Sequence, residues 1–182
     1  MENSTQTKKK YSLTNLVYDS VSILVTSMVL IAILFTFVVR FVGVDGDSMN
    51  PTLHDNDWLI VSAVNKEIEH GDIIISTQPN SFNEPLVKRV IAKGGQTVDI
   101  DFLKGEVFVD GVKLDEPYIA EPTHTTEGVS FPIIVPEGKL FVMGDNRNES
   151  SDSRSPMVGC VDERYVLGVV KYRVAPEFTK FD

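Results

Sequence analysis

From Val21 to Val39 the chain carries no charge, no proline and no glycine; every side chain is apolar or a small hydroxyl. At ~1.5 Å per residue, a helix of this length approaches the ~30 Å hydrocarbon core of a bilayer. The pattern predicts a transmembrane helix over residues 20–40. A buried core helix or a cleaved signal sequence shows similar hydrophobicity. A cleaved signal, however, typically has an apolar stretch of ~7–15 residues closing on a small-residue cleavage site. This run exits into Val39-Arg40-Phe41-Val42 instead, so it reads as an uncleaved signal anchor. Lys8-Lys9-Lys10 precede it. The positive-inside rule then assigns residues 1–19 to the cytoplasm and residues 41–182 to the far side of the cell membrane.

Past the anchor, the pattern changes to short alternating segments. Strands are predicted at 57–64, with Leu59 and Val61 on one face and Trp58 and Ile60 on the other, and at 73–77, 86–92 and 97–101. Further strands are predicted at 106–109, 112–114, 133–135, 139–143 and 164–174. Asp110-Gly111 is a strong two-residue hairpin signal. Residues 78–85, 119–132 and 144–156 are rich in turn formers and read as loops. Evenly spaced short strands predict a mainly β, antiparallel sheet or barrel-like domain.

Composition narrows this picture. Of 182 residues, 42% are hydrophobic and 24% charged, which is ordinary for a globular domain with an added apolar segment. Residues 41–182 suffice for one core. A net charge of −9 argues against nucleic acid as a partner. Cys160 is the single cysteine, so neither an internal disulfide nor a cysteine zinc site is predicted. His54, His70 and His124 lack metal-ligand spacing, and no metal is expected.

Three stretches hold candidate chemistry. Gly46-Asp47-Ser48-Met49-Asn50-Pro51 puts a serine on a turn stiffened by proline, with Gly46 free to take backbone angles other residues avoid. Ser48 is either an ordinary turn serine or a presented nucleophile. Gly-x-Ser-x-Gly and Ser-x-x-Lys are both absent. Lys88 lies in Leu86-Val87-Lys88-Arg89-Val90-Ile91, an apolar strand. Successive side chains alternate, so Lys88 and Arg89 point to opposite faces. Either the lysine faces water, or both faces are covered and an inward cation must be paired or made neutral by desolvation. Serine–lysine pairs are a variant of triad chemistry. The third stretch, Met143 to Arg154, packs Asp, Asn, Arg and Ser behind an apolar strand, as a solvated loop or as an ion-pair frame around an active group.

Together these stretches resemble bacterial type I signal peptidase (leader peptidase), in its compact Gram-positive form. Ser-Met-Asn-Pro-Thr-Leu at 48–53 is similar to the nucleophile box, His70 to Ile75 to the next, and Val87 to Ile91 to the general-base box. Met143 to Arg147 with Ser151 to Arg154 is similar to the last. The resemblance implies Ser48 as nucleophile and Lys88 as base. It implies that Ser150 hydrogen-bonds the Lys88 amine, that Asp145 pairs with Arg89 and Asp152 with Arg154, and that Met49 packs near the site. Gly46 stands where the Gram-negative pattern has a serine that donates to the oxyanion. Ala92-Lys93-Gly94-Gly95-Gln96 replaces the family's frequent Gly-Leu-Pro-Gly-Asp.

The same resemblance implies a membrane-bound serine endopeptidase that removes signal peptides from secretory preproteins after small residues, of Ala-x-Ala type. It implies no cofactor and no metal. Preproteins and the lipid bilayer are the implied partners, close to the protein-export channel. Val44 and Val87 are candidate pocket walls. Two alternatives stand beside this reading. Self-cleaving SOS-repressor-type proteases share the fold and dyad but lack the membrane segment. A catalytically silent anchored β domain would bind or scaffold secretion partners.

Overall fold

The computed structural model describes residues 12–37, 39–62, 67–79, 81 and 84–181. The chain divides into two compact units, Met1–Val38 and Val39–Asp182. The Lys8–Lys10 cluster, and Ala63 and Val64 of the first predicted strand, lie outside the described residues.

The first unit is one helix, α1 (Leu13–Phe37). It starts earlier than the expected span of 20–40 and ends sooner, and Arg40 belongs to a strand. Its large apolar side chains are exposed along its length, which does not suit a core helix of a soluble domain. Two of its hydroxyl groups turn back on the backbone: Ser20 Oγ donates to Leu16 O at 2.8 Å, and Thr26 Oγ1 to Ser22 O at 2.8 Å. Hydroxyls satisfied within the helix suit an apolar surround, where unmet polar groups are costly.

The second unit is mainly β, and all its strand pairs are antiparallel. In chain order the strands are β1 (Val39–Gly43), β2 (Trp58–Ser62), β3 (Ile73–Ser76), β4 (Leu86–Lys93), β5 (Thr97–Asp101) and β6 (Glu106–Val109). There follow β7 (Val112–Lys113), β8 (Ile133–Ile134), β9 (Lys139–Met143), β10 (Val161–Asp162), β11 (Val166–Ala175) and β12 (Thr179–Lys180). The larger sheet runs β1-β2-β11-β3-β4-β9-β10, with β12 added beside β11; the smaller runs β7-β6-β5-β8. The Asp110-Gly111 hairpin forms between β6 and β7, with φ of 52° and 77° at its two central residues, as a primed turn requires.

Alternation places each strand's side chains in different apolar clusters. Ile73 and Ile75 join Val44, Met49, Leu53, Leu59, Val61 and Val170. Ile74, between them, joins Val90, Leu140, Val142, Val161 and Val169. Phe141 and Met143 turn the other way, onto Val98, Ile100, Val107 and Val109 of the smaller sheet. A bulge in β4 between Val90 and Ala92 lets Ile91 and Ala92 enter that last cluster together. Both faces of β4 are thus covered. Lys88 pairs across the ladder with Ile74, and Arg89 with Ile73, residues of two different clusters. Both cations are buried, at 4% and 9% exposure.

Candidate active site

Ser48 sits on the turn that follows β1. Gly46 has φ +89°, in the left-handed region that favours glycine, and its N–H donates to Asp55 Oδ1 at 3.0 Å. Leu53 N–H donates to Met49 O at 3.0 Å, and both side chains are anchored in the core. The turn is also stitched to the loop after β9. Asn146 N–H donates to Ser48 O, and Asn146 Nδ2 to Asp47 O, each at 3.1 Å. That approach needs Gly144, where an added Cβ would collide with Ser48 O and Ser150 Oγ.

Lys88 Nζ lies 2.7 Å from Ser48 Oγ, at hydrogen-bond distance. Burial lowers the lysine pKa from its ordinary 10.5 to about 8, against the opposing charges of Asp152 and Glu127. Among the described residues, no acceptor takes the Ser48 backbone N–H.

Around this pair lies a frame of buried ions. Arg89 Nε and Nη2 donate to Asp145 at 2.8 and 2.6 Å, Nη1 donates to Gly71 O at 2.8 Å, and the Tyr118 ring lies 3.9 Å from the guanidinium. The other oxygen contact of Asp145 comes from Thr52 Oγ1, on the Ser48 turn. One carboxylate therefore joins β4, the Ser48 turn and the loop after β9. Asp152 accepts Arg154 Nε and Nη2, both at 2.8 Å, Gly144 N–H at 3.0 Å and Ser150 Oγ at 3.1 Å. Arg147 pairs with Glu116 at 2.5 Å and also donates to Thr123 Oγ1. Buried charges are tolerated only when paired and hydrogen-bonded, and these are. From β11, between β2 and β3 in the larger sheet, Arg173 Nη1 contacts Asp57 Oδ2 at 3.1 Å and Thr52 O at 3.3 Å.

The expected hydrogen bond from Ser150 to the Lys88 amine is not made. Ser150 Oγ donates to Asp152 Oδ2 at 3.1 Å, while the Lys88 amine is directed to Ser48 Oγ at 2.7 Å. Met49 is buried and lines the cavity beside Ser48. Sequence reading did not find Thr52 as a partner of Asp145, nor Glu116, Tyr118 and Glu127. Thr52 lay inside a conspicuous stretch, but the others come from loops without periodicity.

A cavity of about 380 Å³ opens beside the pair. Val42, Val44, Met49, Ile75 and Val87 form much of its wall, Asp45 and Glu84 line it too, and Ser48 and Lys88 sit in its lining. A larger one, about 440 Å³, is lined by His54, Asp57, Arg173 and Glu177 and includes neither Ser48 nor Lys88. His54 thus lies apart from the serine hydroxyl's cavity. Among the described residues, no cluster of His, Cys, Asp and Glu is arranged to hold a metal ion.

Comparison with known proteins gives a consistent result. The family described as signal peptidase, peptidase S26, matches residues 17–175. Signal peptidase I of Bacillus licheniformis is 34% identical over 186 aligned residues, covering 97% of this chain and 96% of its own. Signal peptidase I T of Bacillus subtilis is 36% identical, covering 96% and 92%. The crystal structure of a signal peptidase I from Enterococcus faecalis is 33% identical and overlays on 57% of this chain and 97% of its own, with a TM-score of 0.47. With its membrane-length helix, its antiparallel β unit and a family match over residues 17–175, the chain belongs to the signal peptidase family, peptidase S26.

Proposed function

We propose that this protein is a membrane-bound serine endopeptidase that removes signal peptides from preproteins with a Ser48–Lys88 dyad. The observation that carries this reading is the 2.7 Å approach of a buried amine to a serine hydroxyl beside an apolar cavity. Neutral Lys88 takes the Ser48 Oγ proton as Oγ attacks the scissile carbonyl. The oxyanion that forms accepts the Ser48 N–H. Lys88, now an ammonium, returns the proton to the leaving amine, and the acyl-enzyme forms. Lys88 then deprotonates a water that releases the signal peptide and regenerates the hydroxyl.

The cavity bounded by Val44 and Val87 suits small side chains, in keeping with cleavage after Ala-x-Ala. The substrate binds as an extended strand whose alternate residues enter pockets. In this reading α1 spans the cell membrane with its N-terminus cytoplasmic and the β unit on the outer side. Enzyme and signal helix then share one bilayer, which raises the local concentration of the cleavage site.

The test is cleavage of a radiolabelled precursor by the full chain in lipid vesicles. The expected result is a mature-length product whose N-terminus follows Ala-x-Ala. Ser48→Ala and Lys88→Ala are each expected to abolish it while the circular dichroism spectrum is kept. Undiminished turnover by Lys88→Ala would overturn the dyad, and no cleavage by the parent protein would favour a silent binding domain.

A further inference from the structure

We infer that Thr52 is a positioning residue: its hydroxyl keeps the turn that carries Ser48 in register with the strand that carries Lys88. The inference rests on the Ser48–Lys88 reading above.

Thr52 Oγ1 donates to Asp145 Oδ2 at 2.5 Å, the short distance of a hydroxyl on a carboxylate. It also lies 3.5 Å from Arg89 Nη2, which donates to the same Oδ2 at 2.6 Å. The hydroxyl thus closes a triangle with the ion pair. Asp145 and Arg89 are both buried, and Arg89 Nη1 is tied to Gly71 O at 2.8 Å. Arg89 follows Lys88 directly on β4. The triangle is therefore a fixed point beside the lysine.

From Thr52 back to Ser48 the chain is stiff. Leu53 N–H donates to Met49 O at 3.0 Å, and Asn50 N–H to Asp47 O at 3.1 Å. Pro51 fixes its own φ. Met49 and Leu53 are seated in one apolar cluster. A shift at Thr52 is therefore passed on to Ser48.

The loop after β9 grips this turn at both ends. Asn146 holds the near end, at Ser48 O and Asp47 O. Two contacts so close together leave the turn free to pivot about them. Asp145 holds the far end through the Thr52 hydroxyl, and that removes the pivot. Arg173 also reaches the far end, at Thr52 O, but from β11, two strands away from β4 in the sheet. Thr52 is not part of the wall of the cavity beside Ser48. Losing its hydroxyl should accordingly disturb the reacting pair and spare the substrate pocket.

The test is steady-state kinetics of the full chain in detergent micelles on a precursor peptide, well below the unfolding temperature of each variant. Thr52→Val keeps the shape and removes the hydroxyl. Its kcat is expected to fall about tenfold or more, with KM within about twofold of the parent value. Thr52→Ser, which keeps the hydroxyl, is expected to recover most of that kcat. Parent-like kcat in folded Thr52→Val, whatever its melting temperature, would reduce the hydroxyl to a structural tie and overturn the inference. So would a rise confined to KM, or a serine variant as slow as the valine one. If Thr52→Val does not fold, Thr52→Ala compared with Thr52→Ser isolates the hydroxyl, since both lack the methyl group. Lys88→Ala is run alongside. Turnover by that variant would sink the dyad, whereas its silence together with parent-like kcat in Thr52→Val would sink Thr52 alone.

Discussion

Lys88 Nζ and Ser48 Oγ stand 2.7 Å apart, although forty residues of chain separate them. Neither element alone could fix that distance. It is set by Asp145, which grips Arg89 next to the lysine and Thr52 four places beyond the serine. A third segment thereby registers β4 against the turn.

The first prediction concerns pH. Only the neutral amine is a base, and burial brings its pKa down to about 8. Peptidase kcat/KM should climb with pH through a limb near that value and then level off. Two units below the limb it should be roughly a hundredfold under the plateau. Initial rates on a precursor peptide from pH 6 to 10 provide the check, and a flat profile would exclude Lys88 as base.

The same shift has a cost in stability. The folded pKa of Lys88, about 8, lies below its ordinary 10.5, so the folded protein releases the proton first. Below the folded value, the ammonium is charged in both states and the folded protein bears the full desolvation penalty. Between the two values stability rises with pH. Lys88→Met should therefore be more stable than the parent at pH 7, by on the order of 3 kcal/mol. That advantage should shrink as pH approaches the ordinary lysine value. Urea unfolding of both proteins at pH 7 and pH 10 measures it.

Breaking the Arg89–Asp145 pair should be severe. The carboxylate is fully buried and the guanidinium nearly so. Arg89→Met or Asp145→Asn leaves one buried charge unpartnered, at a cost of about 3–5 kcal/mol. The double variant should recover part of the loss, and a double-mutant cycle by thermal unfolding gives the coupling.

Val44→Phe and Val87→Phe each project an aromatic ring into the 380 Å³ cavity. We expect KM for a precursor ending in Ala-x-Ala to rise about tenfold or more, with the fold intact, since a crowded pocket loses close fit to the substrate. Steady-state kinetics against the parent enzyme decide it; unchanged KM would place the substrate elsewhere.

Gly144→Ala alters no charged or nucleophilic group. Its methyl group would nonetheless meet Ser48 O and Ser150 Oγ, pushing the Ser48 turn away from the loop. Small displacements of reacting groups cost up to about a hundredfold, so kcat should fall while Lys88 stays buried. Turnover equal to the parent's would mean the turn yields freely.

Much of this was legible in the residues because it is written locally. The Asp110-Gly111 turn, the alternation of β5 and β6 and the apolar run of β3 each depend on neighbours in sequence. What escaped depends on distant partners. β1 was hidden because Val39–Gly43 prolong the apolar run of α1, and only pairing with Trp58–Ser62 makes them a strand. β10 and β12 are two residues long and carry no period. The nucleophile box and the base strand announce themselves by unusual residues in tight spacing. Glu116 and Glu127 do not, since a glutamate in a polar loop looks alike whether it meets water or a buried arginine.

Arg173 reaches from the last long strand to Thr52 O, 121 positions away. The last long strand is therefore a strut for the Ser48 turn. A chimera or shortened enzyme that exchanges this terminus would slacken the reactive corner without altering any residue in it, so grafts between relatives should be cut beyond Thr179.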